Sequence, residues 1–407
     1  MPKRSIAEAD LAGKRVLVRV DFNVPLSEGA VGDDTRIRAS LPTIQYLIDH
    51  RARTILVSHL GRPRGKPDAK YRMAPVAKRL SELLGRDVAT VGSVVGPEAA
   101  AAAEQLAPGE VLLLENVRFE AGEEQNDPAL AKALAALADL FVNDAFGTAH
   151  RAHASTVGVA RELPAYAGFL LQREVDVLSR LLDQPERPFV AILGGAKISD
   201  KLAVAGSLLK VMDTLLIGGG MANTFLLATG VDIGESLAER ERVDDAKQIL
   251  AAARATQKDI LLPVDVVIAT DIKRPGRIVE VAAVPASESI FDIGPATITA
   301  FEQAIAGAKT IFWNGPMGVF EQSRFAAGTR GVARAVAGAA AYTVIGGGDS
   351  VAAVEQAGLA DRIDHISTGG GASLELLEGT ELPGLAAIPD IVPRVFSFLV
   401  NRGRLRQ

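Results

Sequence analysis

VAILGGAKISDK, residues 190–201, is the stretch on which the reading of this chain's fold turns. An apolar run over residues 189–193 ends in Gly194 and Gly195. Lys197 and Lys201 follow as a helical pattern begins. A strand that passes through glycines into a helix start is a natural anion site. Free N–H groups point outward, the macrodipole favours negative charge, and glycine lets a phosphate approach the backbone. Lysines on the first two turns would add point charges for phosphate oxygens. Taken alone, these residues read more simply as an ordinary strand–helix turn with two solvated lysines. The stretch is not a Walker A loop, because GxxxxGK[ST] occurs nowhere in the chain.

The same arrangement recurs downstream. Residues 214–217 read as a strand ending in Gly218, Gly219 and Gly220, with a helix from Met221. Residues 310–313 end in Asn314, Gly315 and Pro316, residues 341–345 in GGGDS (346–350), and residues 365–368 in GGGAS (369–373). Residues 260–270 and 277–282 read as strands, and residues 290–297 contain Asp292, Ile293, Gly294 and Pro295. Each glycine run alone could serve packing. Together they would surround a phosphate tail with backbone N–H groups. None fits GxGxxG, which disfavours a dinucleotide dehydrogenase.

In the first half, strands alternate with helices: strands over residues 15–20, 54–57, 87–91, 110–114 and 140–142, helices over 36–50, 73–84, 98–106 and 128–138. Alternation implies parallel pairing and a doubly wound sheet. Polar and basic residues stand just after the strands: Asp21, Asn23, His59, Arg62, Arg118, His150 and Arg151. Ligands bind at the carboxyl ends of strands in open parallel sheets, so this recurrence suggests one anion held from several sides. Residues 172–183 read as a connecting helix, and Pro185 and Pro188 mark a boundary. The expected fold is therefore α/β, with two Rossmann-like doubly wound parallel-sheet domains joined by a hinge helix.

The totals agree with this reading. A chain of 407 residues is long for one core. A net charge of −5, with no basic half, gives no sign of nucleic-acid binding. The absence of cysteine excludes disulfides and thiolate chemistry. No apolar stretch reaches membrane-spanning length, and a cytoplasmic protein is expected. GxSxG, HExxH, HRD and DFG motifs are missing, and the one SxxK (207–210) lacks its usual companions and reads as plain helix. What remains is an arginine- and histidine-lined face in the first half and a glycine- and lysine-lined face in the second. That division suits phosphoryl transfer, in which positioning and charge do most of the catalysis.

VLVRVDFNVP (16–25), SHLGRP (58–63), ENVRF (115–119), DAFGTAHRAH (144–153), GGAKISDK (194–201), WNGPMGVFE (313–321), GGGDS (346–350) and GGGASLELLEG (369–379) together resemble the phosphoglycerate kinases. The likeness runs from about residue 11 to about residue 388, with the motifs in the family's order. It implies reversible transfer of the 1-phosphoryl group of 1,3-bisphosphoglycerate to Mg-ADP, giving 3-phosphoglycerate and Mg-ATP. It also implies a monomer that closes by hinge bending, with residues 1–170 binding the triose, 171–185 connecting, and 186–388 binding nucleotide. Asp21, Phe22, Asn23, Arg36, His59, Leu60, Gly61, Arg62, Arg118 and Arg151 then match the triose site. Gly195, Lys197, Lys201, Gly218, Gly219, Gly294, Asn314, Glu321, Gly347, Gly348, Asp349 and Ser350 match the ATP/ADP site, with Asp349 toward Mg2+. The resemblance gives Arg36, Lys197, Gly370 and Gly371 the catalytic roles around the moving phosphoryl group.

Two departures from the family pattern stand out. Residues 389–407 (PDIVPRVFSFLVNRGRLRQ) extend past the usual end and read as a packed helix or tail, and Glu120 stands where many relatives carry histidine or tyrosine. Two other functions fit the residue pattern: a two-domain kinase for another carboxylate, such as acetate or an amino acid, and an inactive nucleotide-binding platform.

Overall fold

The computed structural model describes residues 3–391. In chain order its first strands are β1 (Arg15–Arg19), the hairpin β2 (Leu26–Ser27) and β3 (Ala30–Val31), β4 (Arg53–Val57), β5 (Ala89–Thr90), β6 (Val111–Leu113), β7 (Leu140–Asn143) and β8 (Ala165–Ala167). Apart from the hairpin these pair in parallel, in the order β5-β6-β4-β1-β7-β8. Alternate side chains of β1 enter separate cores. Val16 and Val18 pack with Ile37, Ile44 and Leu47 of the helix Thr35–Asp49, and Leu17 packs with Leu134 and Phe141 on the other face. A strand covered on both faces has no solvent side, which is why VLV shows no polar alternation.

The second half contributes β9 (Phe189–Leu193), β10 (Thr214–Ile217), β11 (Asp259–Leu261), β12 (Asp265–Ala269), β13 (Arg277–Glu280), β14 (Ser289–Ile293), β15 (Thr310–Asn314), β16 (Tyr342–Gly346) and β17 (His365–Ile366). Its parallel sheet has the order β11-β10-β9-β15-β16-β17. The chain steps outward from β9 to β11, then returns to lay β15 on the other side of β9. The crevice of a doubly wound sheet lies at that reversal, outside the carboxyl ends of the two strands. Residues 194–201 leave β9 at this point. In the first sheet the reversal falls at β1, flanked by β4 and β7.

Three features depart from expectation. The strand expected over residues 260–270 is two strands. Pro263 cannot donate to a ladder, and beyond it β12 joins the antiparallel sheet β13-β12-β14 instead. The helix expected from Lys197 begins only at Leu202, so Lys201 holds the capping position and Lys197 lies in the preceding turn. The helix expected from Met221 begins at Gly219.

The connecting helix runs Phe169–Asp183 and buries Leu171, Glu174, Leu178 and Leu181 at three- and four-residue spacing. Near the end of the described chain, Gly384 N donates to Ala149 O at 2.8 Å and Asn143 Nδ2 to Gly384 O at 3.2 Å. Asp390 pairs with Lys3 at 2.9 Å. The expectation for the tail over 389–407 falls, beyond residue 391, outside the described residues.

Candidate functional site

On the first-half face, the residues after β1, β4 and β6 converge. Asp21, 7% exposed, accepts from Arg36 Nη1 at 3.0 Å and stands 3.7 Å from His59 Nδ1. Asn23 Oδ1 accepts from Gly61 N at 2.8 Å. Arg118 is buried and donates to Gly61 O at 2.9 Å, and Glu124 stands 3.2 Å from its Nε. Burial lowers the Arg118 pKa, and Glu124 opposes that shift. Burial, with Arg19, Arg118 and Arg36 nearby, holds the His59 pKa well below its ordinary value. Arg62 and Arg151 are exposed, and Arg151 Nε donates to His150 Nε2 at 3.0 Å. Phe22 and Leu60 belong to the core, so only their backbones can serve a ligand. Phe22 N is already engaged by Ser58 Oγ, and both backbone polar groups of Leu60 by Asn116.

Sequence reading missed the layer beneath this face. Arg19, 1% exposed, donates to Ser155 Oγ and contacts His59, and Ser155 is bonded to the buried Glu123. The only signal was an arginine at the end of a fully buried strand.

On the second-half face, two cavities share Gly195, Ala196, Pro316 and Asp349. The smaller, about 220 Å3, is lined by Lys197, Lys201, Asn314, Gly347, Gly348 and Ser350. Lys201 Nζ donates to Gly194 O and, at 3.3 Å, to Asn314 O, so it bridges the ends of β9 and β15. Burial lowers its pKa to about 8, with Asp349 and Asp200 opposing the shift. Gly347 has φ +88°, a conformation that suits glycine, and leads into the helix Gly348–Gln356. That helix supplies the N-terminus that the turn after Lys197 does not. Asp349 and Asp200 both line this cavity. No group of three or more His, Cys, Asp or Glu side chains gathers to hold a metal among the described residues. This donor set fits a Mg2+ that arrives on nucleotide phosphates and takes one or two carboxylates.

The larger cavity, about 490 Å3, is mostly apolar and suits a planar base. Leu237, Pro263, Ile290, Phe291 and Met317 line it, and the exposed Glu321 stands at its wall. Its residues from β12 and β14 could not be foreseen, because the antiparallel sheet that presents them was not. Gly219 lines this cavity, but Gly218 and Gly294 do not. A Cβ on Gly218 would meet Met317 Sδ at 2.5 Å, and one on Gly294 would meet the Asp265 carboxyl carbon at 2.3 Å. Neither position has room for a side chain. A third cleft, about 690 Å3, lies beside the β2–β3 hairpin between Arg38, Lys78, Arg79 and Glu355, and contains none of the expected site residues.

Gly147 lies between Asp21 of the first-half face and the loop that precedes the helix Gly371–Glu378. A Cβ there would stand 2.5 Å from Asp21 Oδ2 and 3.2 Å from Thr368 O. Thr368 precedes Gly370, which caps the helix Gly371–Glu378, and a Cβ on Gly371 would stand 3.8 Å from His150 Nε2. Asp21 and His150 therefore lie close to that helix start.

Comparison with known proteins agrees with this geometry. The sequence model of the family described as phosphoglycerate kinase matches residues 6–380. The chain is similar to the phosphoglycerate kinase of Moorella thermoacetica, 58% identical over 392 residues, covering 96% of this chain and 100% of the relative. That of Chloroflexus aurantiacus is 57% identical over 400 residues, with the same coverage. Among solved structures, phosphoglycerate kinase from Coxiella burnetii aligns with a TM-score of 0.86 at 44% identity, covering 95% of this chain and 98% of that one. The Pyrococcus horikoshii OT3 enzyme aligns with a TM-score of 0.83 at 36% identity, covering 94% and 98%.

Proposed function

The chain belongs to the phosphoglycerate kinase family, and we propose how its two faces carry out the transfer of a phosphoryl group between ATP/ADP and 3-phosphoglycerate. The reaction runs reversibly between 1,3-bisphosphoglycerate with Mg-ADP and 3-phosphoglycerate with Mg-ATP. The triose binds among Asp21, Asn23, Arg36, His59, Arg62, Arg118 and Arg151. The nucleotide base lies in the larger cavity, its ribose near Glu321 and its phosphates between Lys201, Ser350 and the start of the helix Gly348–Gln356. Mg2+, held by Asp349 and the phosphates, supplies charge neutralisation when bound.

Toward ATP consumption, a carboxylate oxygen of 3-phosphoglycerate attacks the terminal phosphorus, and its bond to the bridging oxygen of ADP breaks. The acceptor is already a carboxylate, so no proton is removed and no general base is needed. Asp21 instead orients Arg36. Arg36 and Lys197 offset charge on the three equatorial oxygens, and the Gly370–Gly371 helix start faces the moving group. Hinge bending between residues 1–170 and 186–388, across 171–185, brings donor and acceptor in line and expels water. The enzyme works as a cytoplasmic monomer.

The reading rests above all on the position of Gly147, which lies between Asp21 of the anion face and Thr368 of the loop that leads to Gly370. A coupled assay with 3-phosphoglycerate and Mg-ATP, run beside acetate and amino acids, tests it. Turnover is expected with 3-phosphoglycerate alone. Turnover only with another carboxylate, or nucleotide binding without turnover, would overturn it.

A further inference from the structure

Arg19 carries a charge into a site that is 1% exposed, and its surroundings explain why that is tolerable. Its Nε donates to Ser155 Oγ at 2.8 Å and its Nη1 to Val20 O. Ser155 Oγ donates onward to Glu123 Oε1 at 2.6 Å, and Ser155 N to Oε2 at 2.9 Å. Glu123 is wholly buried, and its pKa stays below the ordinary value: burial works to raise it, but His153, Arg19 and Ser155 outweigh that. Arg19 and Glu123 thus compensate each other through a serine, as buried charges must.

The remaining fork of Arg19 reaches the anion face. Its Nη2 lies 3.1 Å from His59 Nδ1. A guanidinium has donors only, so this contact needs the Nδ1 lone pair. Asp21 Oδ1 stands 3.7 Å from the same nitrogen, and a carboxylate there asks for the opposite arrangement, with the proton on Nδ1. The distances decide between them: 3.1 Å is within hydrogen-bond range and 3.7 Å is not. The single ring proton therefore sits on Nε2, which makes no hydrogen bond among the described residues.

We propose that Arg19 is a positioning residue that fixes His59 as its Nε2–H tautomer, so that the anion face offers one neutral, directed donor among its arginines. The functional half of this inference rests on the assignment of that face to the triose. Arg36, Arg62, Arg118 and Arg151 supply charge on long side chains. A buried ring with one fixed N–H instead marks a single position, and it adds no further cation to a crowded patch. The ionisable groups around it are Arg19, Arg118, Arg36 and His153, with Asp21 opposing and Glu123 facing His153 behind them. The cations and the burial keep the ring neutral through neutral pH.

Ring-nitrogen NMR of the full-length, ligand-free protein with labelled histidine tests the tautomer, and the spectrum of His59→Gln assigns the signal. His59 is expected with Nε2 protonated and Nδ1 bare, unchanged from about pH 6 to pH 8. A ring protonated at Nδ1, or an imidazolium in that range, would overturn the proposal. Because no substrate is present, this result is independent of the assigned reaction. The double variant Arg19→Met, Glu123→Gln removes both buried charges together. It is expected to release the ring into mixed tautomers and to raise KM for 3-phosphoglycerate by about tenfold, the loss of one hydrogen bond to a charged ligand. The KM for ATP should not change. A folded double variant with the wild-type tautomer and KM would refute the positioning role, and if the variant does not fold, the wild-type spectrum alone decides.

Discussion

At Lys201, burial and function pull in opposite directions. Burial lowers its pKa to about 8, whereas nucleotide phosphates need the ammonium charged. The charged form prevails below about pH 8 and is lost above it. Affinity of the free enzyme for Mg-ADP should therefore weaken progressively from pH 7 to pH 9, and calorimetric titration at the two pH values checks this. Equal affinities would contradict it, and Lys201→Met should abolish the slope. The stability sign follows from the same shift. The folded pKa lies below the unfolded value, so the cost of the buried charge applies below about pH 8 and fades as pH rises toward about 10.5. Lys197 lines the same cavity but is exposed. Lys197→Ala should reduce kcat by about 10²- to 10³-fold with little change in KM for ADP, as expected when a charge-stabilising donor is lost. A variant with near-normal kcat in the coupled assay would exclude that role. Lys197 was legible because a motif carries it. Arg19 was not, since a strand-end arginine reads as solvated until its neighbours from residues 59, 123 and 155 are known.

Among the elements, the connecting helix carries the clearest constraint. Glu174 occupies the apolar stripe beside Leu171 and Leu178, wholly buried. It accepts from His365 Nε2 at 2.9 Å, Ser367 Oγ at 2.8 Å, Thr368 N at 2.6 Å and Thr368 Oγ1 at 2.8 Å. One carboxylate thereby ties the connector to the loop that leads into Gly370. Glu174→Ala leaves those donors without a partner and should cost on the order of 3 kcal/mol, read by denaturant unfolding, with kcat falling as the helix start loses its anchor. An unchanged midpoint and kcat would contradict this. The helix itself was legible from its leucine spacing, but the task of Glu174 was not, because its partners lie about 190 residues away. The split of residues 260–270 has a similar cause. Both pieces have strand-forming sequences, and only pairing partners assign β11 to the parallel sheet and β12 to the antiparallel one.

For the whole molecule, the proposed hinge closure predicts a change of shape when both substrates bind. Small-angle scattering should show a smaller radius of gyration with 3-phosphoglycerate and Mg-ATP both bound than with either alone. No contraction with both would rule out hinge closure as the route to transfer. The sequence by itself determined the α/β architecture with parallel sheets, and it placed glycines and polar or basic residues just after the strands. Those properties depend on local patterns: apolar runs, turn glycines and the polar residues that follow each strand. The tertiary structure alone decided which glycines line the two cavities. It also decided where the larger cavity lies, how Lys201 bridges β9 and β15, and which side chains surround the His59 ring. Each of these depends on a distance between residues far apart in the chain, and no local pattern encodes such a distance.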